Sequence, residues 1–277
     1  MVKFVANKAV DNSNLSEIGL FKDIKKNLDR KGEGKKFDAS SGDIDMHVTG
    51  TAMLFVLKKP VSGVMKTIDV KVHGVEQYLL KGLDIKIRKM KDFFSGNYEK
   101  KIFKGNDKIV GSNQKDKLAG YNGKDTIEGG GGNDSIGGGK GNDKISGQGG
   151  NDILSGDAGN DWLDGGTGSN VLSGGKGKDT FHFSSQLSVG NFSSISDFKT
   201  GTDKIELVKS VFPGLSGSGK LGADKFIKST DYDGEAHVVV YNKANGQLSY
   251  AVDSGHLIKF GAVDANLNLA ASDILLV

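Results

Sequence analysis

Nine positions recur at an interval of nine residues: Asp107, Asp116, Asp125, Asp134, Asp143, Asp152, Asp161, Asn170 and Asp179. Two residues after each stands an apolar side chain: Ile109, Leu118, Ile127, Ile136, Ile145, Leu154, Leu163, Leu172 and Phe181. The stretches between are rich in glycine, which lets a turn take positive φ and brings backbone carbonyl oxygens close together. Carboxylates interleaved with clustered carbonyls form an all-oxygen ligand set. That is the preference of a hard cation, and calcium takes roughly six to eight such ligands.

The clearest units are 129–137 (GGGGNDSIG), 138–146 (GGKGNDKIS) and 174–182 (GGKGKDTFH), on the template Gly-Gly-x-Gly-x-Asp-x-apolar-x. The candidate ligands are the carboxylates of Asp116, Asp125, Asp134, Asp143, Asp152, Asp161 and Asp179. Backbone oxygens come from Gly120, Asn122, Gly129, Gly131, Gly138, Lys140, Gly147, Gly149, Gly156 and Ala158. Together they are expected to hold several calcium ions, about four to six at the usual ligand number.

These residues need a scaffold of matching period. Each unit reads as six residues of turn and three of strand, and the strand triplet points one apolar side chain inward. Successive units must then lie on opposite sides of a flattened coil, so that unit n stacks on unit n+2. Each ion is expected to bridge two stacked turns, Asp125 with Asp143, Asp134 with Asp152, Asp143 with Asp161 and Asp161 with Asp179. Asp116 with Asp134 follows the same rule. Asp152 with Asn170 is expected to be weak, because the amide has lost the charge. One buried apolar side chain per nine residues does not offset the ordering of nine backbones. Folding of the array is therefore expected to be coupled to the metal. The array fades at its start, where 102–110 (IFKGNDKIV) and 111–119 (GSNQKDKLA) lack most of the glycines.

The array resembles the calcium-binding repeats of the RTX (repeats-in-toxin, haemolysin-type) proteins. The resemblance implies a parallel β-roll. Beyond the array, Ile195, Asp197 and Phe198 followed by Gly201, Asp203, Lys204 and Ile205 resemble the strand-rich segment that follows such arrays in serralysin-type proteins. Tyr241, Gly246, Leu248, Tyr250, Asp253 and Gly255 resemble that family's hairpin, and Asp273–Val277 resembles the C-terminal signal read by type I exporters. The chain's size and single array resemble the rhizobial nodulation-signalling RTX proteins.

Composition bounds the rest. Among 277 residues there is no cysteine, hence no disulfide and no thiolate site. Of 42 glycines, 23 lie between Gly105 and Gly177. Residues 1–104 carry 21 Lys and Arg against 13 Asp and Glu, a net of +8, whereas 105–182 and 183–277 are net −3 and −2. The basic front can attract anionic membrane or acidic polysaccharide; nucleic acid is not expected as a partner. The first fourteen residues hold no apolar h-region, so an ordinary secretory signal is not expected. Met53–Leu57 is the longest strong apolar run and reads as a strand, not a membrane span.

In the front, Leu15, Ile18, Phe21, Ile24 and Leu28 have helical spacing, with Ser13 or Asn14 as cap and Gly32 as stop. Ile44/Met46/Val48, Ile68/Val70/Val72 and Leu83/Ile85/Ile87 alternate as strands, punctuated by Gly50, Gly63, Gly74 and Gly82. His47 and His73 read as ordinary strand histidines. In the rear, Asn245-Gly246 between Val238–Tyr241 and Gln247–Val252 marks a hairpin. Asp197 and Asp203 read equally as further ligands or as turn residues.

No catalytic constellation emerges. None of the five histidines is followed by Glu, which removes His-Glu-x-x-His, and no serine stands in Gly-x-Ser-x-Gly. Residues 214–220 (GLSGSGK) mimic a phosphate loop, but Leu221 stands where a hydroxyl must hold magnesium.

The fold class expected is all-β dominated. A parallel β-roll, residues 102–182, is flanked by a β-rich N-terminal cap domain, 1–101, and a β-sandwich-like C-terminal cap, 183–277. The function expected is that of a secreted, non-enzymatic, extracellular calcium-binding protein. It leaves by a type I ABC exporter and folds on external calcium, and its basic front binds the partner. The alternatives are a membrane-active or polysaccharide-binding adhesin, and an enzyme with an unrecognised N-terminal catalytic domain.

Overall fold

The structure, a computed structural model, describes residues 3–6, 36–41, 44–56, 59–72, 75–87, 105–229 and 232–277. The helix expected around Leu15–Leu28, and His73, lie outside the described residues. His47 falls in a strand.

The array forms a flattened coil because its two periods agree. Nine units alternate between two sheets. β6 (Lys108–Val110), β8 (Thr126–Gly131), β10 (Lys144–Gly149), β12 (Trp162–Asp164) and β14 (Thr180–Phe183) lie in one, called sheet A. β7 (Lys117–Asn122), β9 (Ser135–Lys140), β11 (Ile153–Ala158) and β13 (Ser169–Ser173) lie in the other, sheet B. Every neighbouring pair within the array is parallel and in register at eighteen residues, as in Ile127 with Ile145 and Leu154 with Leu172. The nine apolar side chains from Ile109 to Phe181 are all buried, at 0–3 % exposure, in one core between the sheets.

The strands are longer than the three residues expected. β7 to β11 each run six residues, through the second and third positions of the following unit. Pairing continues there because the ladder does: the Gly123 and Gly141 amides donate to the Lys140 and Ala158 carbonyls of the next rung at 2.7 and 2.8 Å.

Both sheets run on past residue 182 without a break. β15 (Phe192–Ile195) pairs with β13 in sheet B, followed by β21 (His256–Ala262), β20 (Gln247–Asp253), β19 (Val238–Tyr241) and β18 (Phe226–Lys228). β16 (Lys204–Leu207) pairs with β14 in sheet A, followed by β22 (Ile274–Leu276) and β17 (Gly219–Lys220). The β19–β20 hairpin turns at Gly246, whose φ is 75°. The core widens here and becomes aromatic, with Phe183, Phe212, Tyr250 and Phe260 meeting edge to face at 5.0–5.5 Å between ring centres.

At the other end, β1 (Lys3–Ala6) pairs parallel with β6 and antiparallel with β5 (Val75–Ile87). β4 (Lys59–Val72), β3 (Ile44–Val56) and β2 (Lys36–Ser41) follow in sheet A, all antiparallel. Gly50 lies inside β3 beside a register shift rather than at a strand end, the ordinary place of a strand glycine at a bulge. Among the described residues no helix is long and apolar enough to cross a membrane.

Candidate calcium site

Two side-chain ladders hold the turns together, and they run in opposite directions. From Asp107 to Asp161 the backbone amide of each array Asp donates to Oδ1 of the Asp one rung on, eighteen residues later, or in the case of Asp152 to Oδ1 of Asn170. Seven such bonds, from Asp107–Asp125 to Asp161–Asp179, measure 2.7–3.0 Å. One residue earlier in the unit, an Asn Oδ1 accepts the amide of the rung that follows. Asn106 takes Lys124, Asn133 takes Asn151, Asn142 takes Asn160, Asn151 takes Ser169 and Asn160 takes Lys178, all at 2.7–2.9 Å. This second ladder was not among the expectations, although the repeated Asn-Asp dipeptides were its signal.

The carboxylates themselves are 1–2 % exposed. Their Oδ1 atoms are used by the ladder. In Asp125, Asp134, Asp143, Asp152, Asp161 and Asp179 the Oδ2 atom is buried with no hydrogen-bond donor in reach. Each of these atoms faces a glycine at the first position of its unit. A Cβ added to Gly120 would stand 2.5 Å from Asp125 Oδ2 and 2.5 Å from the Gly138 carbonyl oxygen. At Gly129 it would stand 2.5 Å from Asp134 Oδ2 and 2.8 Å from the Gly147 oxygen. Gly138, Gly147 and Gly156 repeat the arrangement with Asp143, Asp152 and Asp161. Space that any side chain would fill is thus ringed by a carboxylate oxygen and the carbonyl of the next rung.

The third-position residues Asn122, Gly131, Lys140, Gly149 and Ala158 fall on the strand ends beside these cradles. The Lys140 and Ala158 carbonyls each accept one backbone amide, which leaves a second lone pair.

Electrostatics make the same point. Burial, with a further rise from neighbouring aspartates, pushes Asp125 and Asp161 up to about 7, against the lowering effect of their amide donors. Burial likewise takes Asp143 and Asp152 to about 6 and raises Asp134 and Asp179. A row of buried, mutually repelling carboxylates with one empty oxygen each is costly unless a cation sits among them. No three carboxylate, imidazole or thiol side chains converge among the described residues. A cation held here therefore takes much of its oxygen from the backbone, which suits calcium and not a nitrogen- or sulfur-loving metal.

A family description, the RTX calcium-binding nonapeptide repeat, matches residues 103–136, 138–163 and 155–186. Residues 103–186 are an array of RTX type. This nonapeptide array is the calcium-binding element, and its fold is the parallel β-roll. Solved structures similar to the chain include two subunits of the mannuronan C5-epimerase of Azotobacter vinelandii. AlgE6R3 is 27 % identical with a TM-score of 0.32, over 62 % of this chain and 78 % of that one. AlgE6R2 is 26 % identical with a TM-score of 0.36, over 61 % and 91 %. The extracellular lipase LipA of Serratia marcescens is 18 % identical with a TM-score of 0.24, over 62 % of this chain and 38 % of that one. No curated protein sequence matches the chain.

The RTX rungs are not equivalent. Asp116 Oδ2 already accepts the Ser112 amide at 2.5 Å and its hydroxyl at 3.0 Å. Asn170 keeps the ladder bond to Asp152 at 2.9 Å but turns its amide nitrogen to the Gly168 carbonyl. The weakness expected at that pair thus lies in the missing anionic oxygen. Asp203 and Asp197 prove to be stacking residues with both oxygens occupied. Asp203 accepts the Asp179 and Lys199 amides at 3.1 and 2.9 Å, and Asp197 accepts those of Gly174 and Gly175 at 2.9 and 2.7 Å.

Proposed function

We propose that this is a secreted, non-enzymatic calcium-binding protein whose β-roll folds outside the cell. Six orphaned Oδ2 atoms, on Asp125, Asp134, Asp143, Asp152, Asp161 and Asp179, carry the reading. They are consistent with the several ions, about four to six, expected at the usual ligand number. Without cations the array holds buried unpaired charge and one apolar side chain per nine residues, so it stays open in a low-calcium cytosol. An open chain can thread a type I ABC exporter.

The proposed exporter signal lies in the tail. Ile274 and Leu276 are buried in sheet A beside β16, and Asp273 accepts the Gly201 amide at 2.9 Å. The tail is therefore readable only before the final sheet closes. The basic residues 1–104 act as the partner-binding module, toward an anionic membrane or acidic polysaccharide.

Secretion from a host that carries a matching exporter tests the reading. Deleting the last ~50 residues, several rungs of sheet at the spacing of strands, traps the chain inside. A chain lacking residues 1–100 is still exported. Undiminished secretion of the tail-less chain overturns the export assignment.

A further inference from the structure

The outer face of sheet B carries an open trough of about 620 Å³ across four rungs of the roll. Its floor follows the second position of each unit, in the ladder Tyr121, Gly139, Asp157, Gly175. All four take positive φ, at 70°, 101°, 68° and 89°. Glycine is the residue suited to that conformation, and a bulky aromatic there is a strained choice. Tyr121 and Asp157 thus stand, against backbone preference, where neighbouring rungs use glycine, and both line the trough. Tyr121 offsets part of its strain by packing against the apolar core, whereas Asp157 is exposed, and ligand sites are where such strain gathers.

The lining has a definite chemistry. Asp157 is exposed, and Ser155 Oγ donates to its Oδ1 at 2.6 Å. Lys140 and Lys176 stand exposed on the rim, and among the described residues neither forms an ion pair. The opposite face differs: on sheet A, Lys108 is paired with Glu128, Lys204 with Asp273, and Lys144 lies over the Trp162 ring. The two rim lysines are two rungs apart, about 9.5 Å at the spacing of strands in a sheet. That is the length of one disaccharide in an extended glycan. Beyond the end of the trough, four residues before Asp157 and Gly175, Ile153 and Val171 pair in register and remain 58 % and 45 % exposed. An aromatic edge, a β-branched apolar pair, a carboxylate with hydroxyls, and unpaired cations spaced by a disaccharide match a sugar chain. Such a chain offers apolar ring faces, hydroxyls, and one carboxylate on alternate residues.

We propose that this trough binds an acidic polysaccharide with one uronate per disaccharide. The ring faces lie over Tyr121, Ile153 and Val171, Asp157 takes sugar hydroxyls, and Lys140 and Lys176 take successive carboxylates. The site is separate from the basic front of the chain. It rests on the calcium-folded roll, because its four rungs are the same ones whose turns hold the cation cradles.

The test uses the full chain in millimolar calcium, with circular dichroism confirming the fold before each titration. The probes are a hyaluronan octasaccharide and an uncharged chitin hexasaccharide, followed by calorimetry. Tyr121→Gly and Asp157→Gly install the residue that neighbouring rungs carry, and each variant is titrated at calcium well above its own midpoint, because Asp157 also raises the Asp143 and Asp161 carboxyls. Each is expected to weaken hyaluronan binding about tenfold or more, a free-energy step of one decade in Kd. Lys140→Ser with Lys176→Ser removes the salt dependence and brings the affinity to that of the chitin oligomer. Gln148→Gly, the same change at the equally strained Gln148 (φ 70°) in the opposite sheet, leaves binding unchanged. A folded wild-type chain that binds neither probe overturns the site and leaves the calcium reading intact. Equal binding by wild type, Tyr121→Gly and Asp157→Gly overturns it as well. Equal affinity of wild type for both probes overturns the acidic-ligand assignment.

Discussion

The array and the segment after it use the same residue in the same stack, and treat its second oxygen in opposite ways. In the array, Oδ1 of Asp125 or Asp143 accepts an amide and Oδ2 accepts nothing. In the exit segment, Asp197, Asp203 and Asp273 have both oxygens filled, by backbone amides and, at Asp197, also by the Ser173 hydroxyl. Packing differs in step. A rung of the array buries one Ile or Leu, whereas the exit buries Phe183, Phe212, Tyr250 and Phe260 around one another. A carboxylate closed by donors needs no cation, and an aromatic core needs no staple. One continuous pair of sheets is thus divided into a part with open carboxylate oxygens, expected to depend on metal, and a part with closed ones, expected not to, with Asp179 at the seam. Its amide goes to the closed Asp203, while its own Oδ2 is open.

Removing calcium is the largest perturbation of that contrast. In chelator, residues 102–182 are expected to open while 192–277 keep their sheet. The protein supplies its own reporters. Trp162, the single tryptophan, lies in the array, and Tyr241 and Tyr250 are buried in the exit. Tryptophan emission should respond to calcium near the affinity of extracellular calcium modules, about 10⁻⁴–10⁻³ M, and amide exchange should stay slow only in the exit strands. Simultaneous loss of both regions would erase the division.

Single carboxylates come next. Asp143→Ala removes an open oxygen and the ladder acceptor for the Asp125 amide, so calorimetry should show fewer ions and a higher calcium midpoint. Asp107→Ala, in a unit poor in glycine carbonyls, should shift both much less. Matching stoichiometry and midpoint in the two variants would break the stacking scheme.

Two asparagine exchanges sharpen the boundary. Asp203→Asn should leave the calcium count unchanged and destabilise the chain by about 1–3 kcal/mol, with or without calcium, the cost of disturbing a buried hydrogen-bonded group. Asn170→Asp should do the reverse. It places a second anionic oxygen beside Gly165 and the Ser193 hydroxyl, and the calcium count should rise. A drop in calcium count for Asp203→Asn would show that its oxygens are not closed.

The smallest effect is that of pH. Asp125, Asp143, Asp152 and Asp161 have their carboxyls raised to about 6–7 in the metal-free roll, chiefly by burial. A raised folded-state carboxyl binds protons that the unfolded chain has released. The metal-free array therefore gains stability as pH falls through that range, and loses it as pH rises. Calcium competes with those protons. The Trp162 transition in calcium should move to higher concentration between about pH 8 and about pH 5. A transition at constant calcium concentration across that span would contradict the open-oxygen account.

The candidate site was largely legible, because its chemistry repeats at the period of its scaffold. Asp, glycine and apolar positions in a nine-residue phase lead to the eighteen-residue register, and the buried Ile109-to-Phe181 row follows from the same phase. The Asn ladder was equally legible in the Asn-Asp dipeptides and was overlooked. The state of each second oxygen was not legible. Asp116 is closed by Ser112, whose hydroxyl reaches it only in that unit's turn. Asp203 stacks on Asp179 across twenty-four residues rather than eighteen, so no fixed period points to it. The sheet B trough was equally hidden. Tyr121 and Asp157 are unremarked letters until positive φ and the register place them on one floor.

The sequence by itself determined the repeat, the parallel stacking and the affinity for calcium. Each of these follows from side-chain type at a regular spacing, and regular spacing survives translation into a helical coil. Only the tertiary structure decided which carboxylates remain open and where along the sheets they become closed. Both depend on donors brought from another rung, or from 72 residues away, as the Gly201 amide is to Asp273. A hydrogen-bond partner is a fact of three-dimensional proximity, and one-dimensional periodicity does not encode it where the period ends.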